Sequence, residues 1–194
     1  DTDAQNALAL HFGGDPQAIA GVSRATLAGQ DWGSVCVRGA SGVFVLPYGL
    51  VNETDRVAFE RHLDAHPGWM AQQLHNLHLP ADAVVLIDTP PGPSFYMQQA
   101  LAAAHAVVVI SLPDAASYAS LALMHRLVHT YCTSRPGFVD TFYVVNQTDS
   151  ARQLSKDITR VMQDNLGEQL IGVIHEDEAV REALAYDQNV LEYD

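Results

Sequence analysis

Apolar residues in this chain fall into two kinds of spacing. Short unbroken runs end in a proline, glycine or acid, and the stretches between them carry apolar positions three and four apart. The clearest run is Ala83-Val84-Val85-Leu86-Ile87, followed by Asp88-Thr89-Pro90-Pro91-Gly92-Pro93-Ser94. A run of that length predicts a strand buried on both faces, the form strands take in parallel sheets. Val43-Phe44-Val45-Leu46, stopped by Pro47 and Gly49, predicts another, and so do 106–113, 138–145 and 169–174. Helices are predicted between them. A short Ala-rich one lies within 16–28, two lie over 53–77 divided by Pro67-Gly68, and one runs from a Ser94 cap to residue 104. A further helix starts at Asp114 or Ser117 and ends near Tyr131, a polar one covers 150–165, and the last covers 178–185. Alternation of this kind predicts an α/β fold with a doubly wound, mostly parallel sheet, organised as a single domain over residues 1–194.

Open α/β sheets place ligands at the carboxyl ends of their strands. Asp88 falls at such an end. A carboxylate there either serves a hydrated Mg²⁺ beside a nucleotide phosphate or simply closes a turn. Asp1 and Asp3 form a second acidic pair, and Asn146 closes the 138–145 run with an amide able to donate to and accept from a base edge. A phosphate cradle of the form G-x-x-x-x-G-K-[ST] is absent from the sequence. The one lysine, Lys156, lies in the polar helix, and Gly13-Gly14 and Gly29 do not make such a loop.

Composition narrows the classes. Of the 194 residues 48% are hydrophobic and 17% charged, which is globular and enough for one full-sized core. The formal charge of −13 disfavours a surface that collects nucleic-acid phosphates. Cys36 and Cys132 have no CxxC or zinc spacing and read as free thiols in a reducing, cytoplasmic setting. No apolar run approaches bilayer length. Nine histidines include His62/His66 and His125/His129 at i, i+4, with His75 and His78 near the first pair. No cysteine or carboxylate completes a zinc set, so solvent-facing histidines are the expectation. A G-x-S-x-G elbow for serine catalysis is also missing from the sequence.

Asp1-Thr2-Asp3-Ala4-Gln5 resembles the D-x-D-x-Q segment of the MinD/ParA group of P-loop ATPases, and Asp88-Thr89-Pro90-Pro91-Gly92 resembles their second-switch D-x-P-x-G. More narrowly, three stretches look like the BcsQ (YhjQ) family of bacterial cellulose biosynthesis proteins. They are 25–32, Leu46-Pro47-Tyr48-Gly49, and Ile174-His175-Glu176-Asp177-Glu178-Ala179-Val180 leading to Glu192-Tyr193. The resemblance implies a nucleotide-binding fold using ATP and Mg²⁺, with ATP-dependent dimerisation. It places the homodimer in the cytoplasm or peripherally at the inner membrane, beside cellulose synthase components. Carried over by position, Asp1 and Asp88 hold Mg²⁺ through water, Asp3 orients the attacking water and Gly92 faces the γ-phosphate. Asn146 reads adenine, with His175 beside the base where the family often has proline. The resemblance puts the family's Walker A strand–loop–helix ahead of Asp1, about one βαβ unit or roughly 30 residues. Residues 1–194 alone are therefore expected to read as a fragment that leaves open sheet edges, folds poorly and binds ATP weakly. A non-catalytic scaffold relative and a ParA-type partitioning ATPase are the alternatives.

Overall fold

The structure, a computed structural model, describes residues 1–39 and 42–186 together with Gln188, Val190 and Tyr193. Glu192, part of the resembling C-terminal stretch, lies outside the described residues. The chain divides into two compact units, residues 1–103 with 179–194, and residues 104–178.

The first unit opens with a 3₁₀ turn over Leu8–Phe12 and a short helix α1 (Val22–Leu27). Strands β1 (Val37–Arg38) and β2 (Phe44–Val45) pair antiparallel. Helix α2 (Glu53–Ala65) is capped by Asn52, whose side-chain oxygen accepts the Asp55 N–H at 2.8 Å, and carries Glu53 and Asp55 in its first turn. Pro67 follows its end, and Gly68, at φ +84°, starts α3 (Trp69–Asn76). Ser94 Oγ accepts the Met97 N–H at 3.1 Å at the head of α4 (Phe95–Ala103). Two clusters fill the core. One gathers Val22, Ala25, Trp32, Met70 and Ala100, and the other Tyr48, Phe59, Leu63 and Tyr96. Edge-on rings run through both: Trp32 on Trp69 at 4.9 Å, Phe59 on Trp69 at 5.8 Å, Tyr48 on Phe59 at 5.9 Å.

The second unit is a parallel sheet in the order β3–β4–β5, built from Val107–Ser111, Thr141–Thr148 and Leu170–His175. Helices α5 (Ala115–Tyr131) and α6 (Gln153–Leu166) make the crossovers. Asp114 caps α5 by accepting both the N–H and the hydroxyl of Ser117 (2.8 and 3.0 Å). Val107, Tyr143, Val144, Val145, Val128, Cys132 and Met162 are buried here. Helix α7 (Glu178–Ala185) groups from Ala179 onward with the first unit. No helix among the described residues is long and apolar enough to cross a membrane.

Helix positions follow the periodicity closely, and the α/β class with a parallel sheet holds. Two strand expectations change. The 43–46 run pairs antiparallel with β1 in a short hairpin. Residues 83–88 join no ladder among the described residues, and Val84 and Leu86 are 85% and 86% exposed while Ile87 packs on the Trp32 cluster. An extended apolar run becomes a buried strand when neighbours supply hydrogen bonds and cover its second face, and the described residues cover one face. β3 has the same character, with Val107 and Ser111 buried and Val108 and Ile110 more than half exposed.

Candidate functional site

In the first unit two turns meet. The Asp1–Asn6 segment folds back on its own carboxylates. Asp1 Oδ1 accepts the Asp3 N–H at 2.9 Å, Asp3 Oδ1 accepts the Gln5 N–H at 2.9 Å, and the Asp3 carbonyl accepts the Asn6 N–H at 2.9 Å. Asn6 ends the turn in the left-handed region, φ 52°, a conformation Asn tolerates better than most residues. The second turn is 88–94. Its Asp88 carbonyl accepts both the Thr2 N–H (2.9 Å) and the Thr2 hydroxyl (2.6 Å). Gly92 there has φ +80°, and a Cβ built on it would meet nothing within 4 Å, so the turn faces open space.

The structure thus joins the Asp1–Asp3 turn to the backbone of Asp88 through Thr2 and places Gly92 on the same turn as Asp88. Asp88 is exposed. Asp1 Oδ2 is a buried oxygen without a hydrogen-bond partner. A carboxylate oxygen left in that condition is costly unless a donor or cation meets it. The donor set therefore fits a hard, oxygen-seeking cation such as Mg²⁺. Among the described residues no group of three or more His, Cys, Asp or Glu could hold a metal by itself. Mg²⁺ suits that sparse set, because it keeps several waters and takes one or two carboxylates alongside phosphate oxygens.

Asn146 and His175 lie in the second unit. Asn146 Oδ1 accepts the N–H of Gln147 at 3.0 Å, and Gln147 adopts φ 55° where the β4–β5 register shifts between Val145 and Thr148. This bulge re-aims the end of β4. His175, exposed at the end of β5, has Nδ1 3.0 Å from the Thr148 hydroxyl, which also donates to the Ile174 carbonyl at 3.2 Å. Of the i, i+4 histidines, His66, His125 and His129 are exposed as expected, and His62 departs from the expectation. His62 and His66 stack at 4.3 Å, His66 Nδ1 sits 2.8 Å from the His62 carbonyl, and His62 is half-buried against Trp69 with Nε2 unpartnered.

Sequence reasoning passed over the residues that hold the two turns. Thr2, to which the sequence assigned no role, is buried and carries both bonds to Asp88. Asn6 is buried, and its Oδ1 accepts the Gly49 N–H at 3.3 Å. Tyr48 is fully buried, its hydroxyl 2.9 Å from that of Tyr96, which donates to Glu60 Oε1 at 3.3 Å. Glu60 also pairs with Arg56. Burial pushes both tyrosine hydroxyls upward from their ordinary range, so they remain protonated donors at neutral pH. A polar tip on an otherwise apolar Pro47-Tyr48-Gly49 stop was the one available signal.

The family model for "Cellulose biosynthesis protein BcsQ" matches residues 1–194. No curated protein matches the chain. Among solved structures, the chain is similar to a plasmid partition protein from Borrelia burgdorferi B31 bound to AMPPNP, at TM-score 0.77 and 16% identity, covering 97% of this chain and 76% of that one. It is similar to apo McdA from Cyanthece at TM-score 0.75 and 17% identity, covering 98% and 78%. It is also similar to cobyrinic acid a,c-diamide synthase from Mycobacterium smegmatis, with bound ATP analog and magnesium, at TM-score 0.70 and 23% identity. That alignment covers 84% of this chain and 66% of the synthase, so the chain spans just under two thirds of the synthase's length. These likenesses establish the fold, that of the ParA/MinD-type P-loop ATPases.

Proposed function

This chain belongs to the cellulose biosynthesis BcsQ family, and from that premise we propose that it supplies the metal- and water-handling residues of a MinD/ParA-type ATPase. One observation carries the reading: Thr2 joins the Asp1–Asp3 turn to Asp88 through two hydrogen bonds to a single carbonyl. Acids held this way can share one hydrated cation, where scattered turn aspartates could not. Magnesium bound with ATP would neutralise charge on the phosphate oxygens.

In this reading Asp1, through its unpartnered Oδ2, and Asp88, through its exposed carboxylate, hold waters of the metal shell. Asp3 orients the water that attacks, and the Gly92 N–H is offered to the γ-phosphate from a turn that opens outward. In the second unit the Asn146 amide is the proposed reader of an adenine edge, and His175, whose Nδ1 lies 3.0 Å from the Thr148 hydroxyl, its proposed neighbour. Homodimerisation on ATP, at cellulose synthase components on the inner membrane, is the proposed cellular setting. The ATP analog and magnesium bound in the Mycobacterium smegmatis synthase and the AMPPNP in the Borrelia burgdorferi protein support the choice of cofactor. A DNA-partitioning role is disfavoured by the −13 charge.

The test is ATP hydrolysis by the native protein beside its Asp3→Asn variant. Loss of an oriented water should slow hydrolysis about 100-fold while Mg·AMPPNP binding is retained. Equal hydrolysis rates would contradict the role given to Asp3.

A further inference from the structure

The first unit contains a second connection between the two acid-bearing turns, and it runs through the core. Tyr96 sits in the first turn of α4, two residues beyond the Ser94 cap and four beyond Gly92, so it is mechanically part of the 88–94 turn. Its hydroxyl donates to Glu60 on α2, which leaves the Tyr48 hydroxyl to donate to Tyr96 across 2.9 Å. Tyr48 in turn belongs to a loop that cannot shift easily. Its carbonyl accepts the Ser23 N–H (3.2 Å) and the Ser23 hydroxyl (2.6 Å), and a Cβ on Gly21 would sit 2.4 Å from that carbonyl. The next residue, Gly49, donates its N–H to Asn6, whose own N–H is bonded to the Asp3 carbonyl.

We propose that the Tyr48–Tyr96–Glu60 hydroxyl chain is a positioning device that fixes the Asp88–Gly92 turn in register with the Asp1–Asp3 turn. Tyr48 and Tyr96 are then positioning residues for the acid cluster, acting through Asn6 and the Ser94-capped start of α4. The proposal rests on the ATPase reading for what the cluster does, but the mechanical link stands on the geometry alone. Two features separate it from a core that merely contains two tyrosines. Burying two hydroxyls is costly without partners, and phenylalanine would fill the same volume more cheaply. The chain also ends on an ion-paired carboxylate, Glu60 with Arg56, which orders the donors in one direction. The direct Thr2–Asp88 contact fixes backbone separation at one point, and the tyrosine chain adds a second point, so together they remove the hinge motion a single tether would allow.

Hydrogen exchange on the native protein with Tyr96→Phe, Tyr48→Phe and the double variant tests this. Each single variant should speed exchange at the Asn6 and Gly49 amides about tenfold, the equivalent of one lost hydrogen bond, with the interior amides of α2 and α4 unchanged. The double variant should exchange no faster than either single one, because one chain is broken in all three. Glu60→Gln, which keeps an acceptor oxygen but gives up the Arg56 ion pair, should speed exchange at those amides less than either tyrosine variant. In parallel, Tyr96→Phe should weaken the Mg²⁺-dependent part of AMPPNP binding and spare the metal-free part. Unchanged exchange at Asn6 and Gly49 would overturn the proposal. So would acceleration spread evenly over α2 and α4 with a lowered melting temperature, or additive effects in the double variant. If the wild-type protein bound no AMPPNP, the ATPase reading would fall, while the exchange pattern would still decide the coupling.

Discussion

Thr2 donates twice to one atom: its N–H and its hydroxyl both reach the carbonyl oxygen of Asp88, at 2.9 and 2.6 Å. A carbonyl has two lone pairs, so the contact saturates it and fixes where the Asp88 backbone lies relative to Asp1 and Asp3. Thr2→Val keeps the shape and removes the hydroxyl bond. We expect a loss of about 1 kcal/mol in unfolding free energy, read from urea denaturation, and a weaker Mg²⁺ requirement for nucleotide binding.

Two glycines should respond in opposite measure. Gly92 has positive φ but open space around it, so Gly92→Ala bears a backbone cost alone, about 1 kcal/mol. Gly21 is extended, at φ 178°, with no backbone reason to be glycine, yet its Cβ would meet the Tyr48 carbonyl and Gly49 nitrogen at 2.4 Å. Gly21→Ala should cost about 3 kcal/mol or abolish folding. Urea midpoints of the two variants give the comparison, and equal losses would count against the close backbone crossing.

Gln99 is 2% exposed and ties three helices. Its Oε1 accepts the Met70 N–H at 3.1 Å, and its Nε2 donates to the Leu63 and His66 carbonyls at 2.9 and 2.8 Å. Gln99→Leu fills the space but leaves those backbone groups unpaired, at a cost of roughly 3 kcal/mol. Calorimetric melting should show it as one of the larger single-residue losses in the first unit.

Acid should loosen the α2–α3 corner. Burial first, and the neighbouring His66 second, hold the His62 pKa below its ordinary value of 6.5. The folded state therefore resists a proton that the unfolded chain accepts readily. Stability is at its full value above pH 6.5 and is lost as pH falls toward the folded pKa. The ring contacts of His62 are with His66 and Trp69. Between about pH 7.5 and about pH 5.5, His62→Gln should flatten this part of the decline in melting temperature. An undiminished slope would place the acid sensitivity elsewhere.

What the sequence made legible was mostly local. Pro67-Gly68, Ser94 and Asp114 each fix a helix boundary through chemistry within four residues of themselves; the first two were read from the sequence, and Asp114 was one of two starts it offered, beside Ser117. The parallel sheet was readable too, because continuous apolar runs separated by helices leave little choice. Partners distant in sequence were not. Tyr48 and Tyr96 lie 48 positions apart, and nothing in either neighbourhood names the other. The fate of 83–88 was likewise hidden, since burial of an apolar run depends on which neighbours cover it. Of the candidate site, the acids and Gly92 were visible as residue types, Asp88 and Gly92 at the end of an apolar run and Asp1 and Asp3 as a spaced acidic pair, whereas Thr2 and Asn6, which hold them, had no pattern of their own.

The central claim is that Asp1 and Asp88, held together at Thr2, serve one Mg²⁺ beside a nucleotide. Calorimetric titration of the native protein with AMPPNP, with and without Mg²⁺, addresses it most directly when repeated on Asp88→Asn. The account predicts that wild-type affinity rises with Mg²⁺ and that Asp88→Asn loses that gain, about tenfold or more, while metal-free binding is unchanged. Identical Mg²⁺ dependence in the two proteins would contradict it.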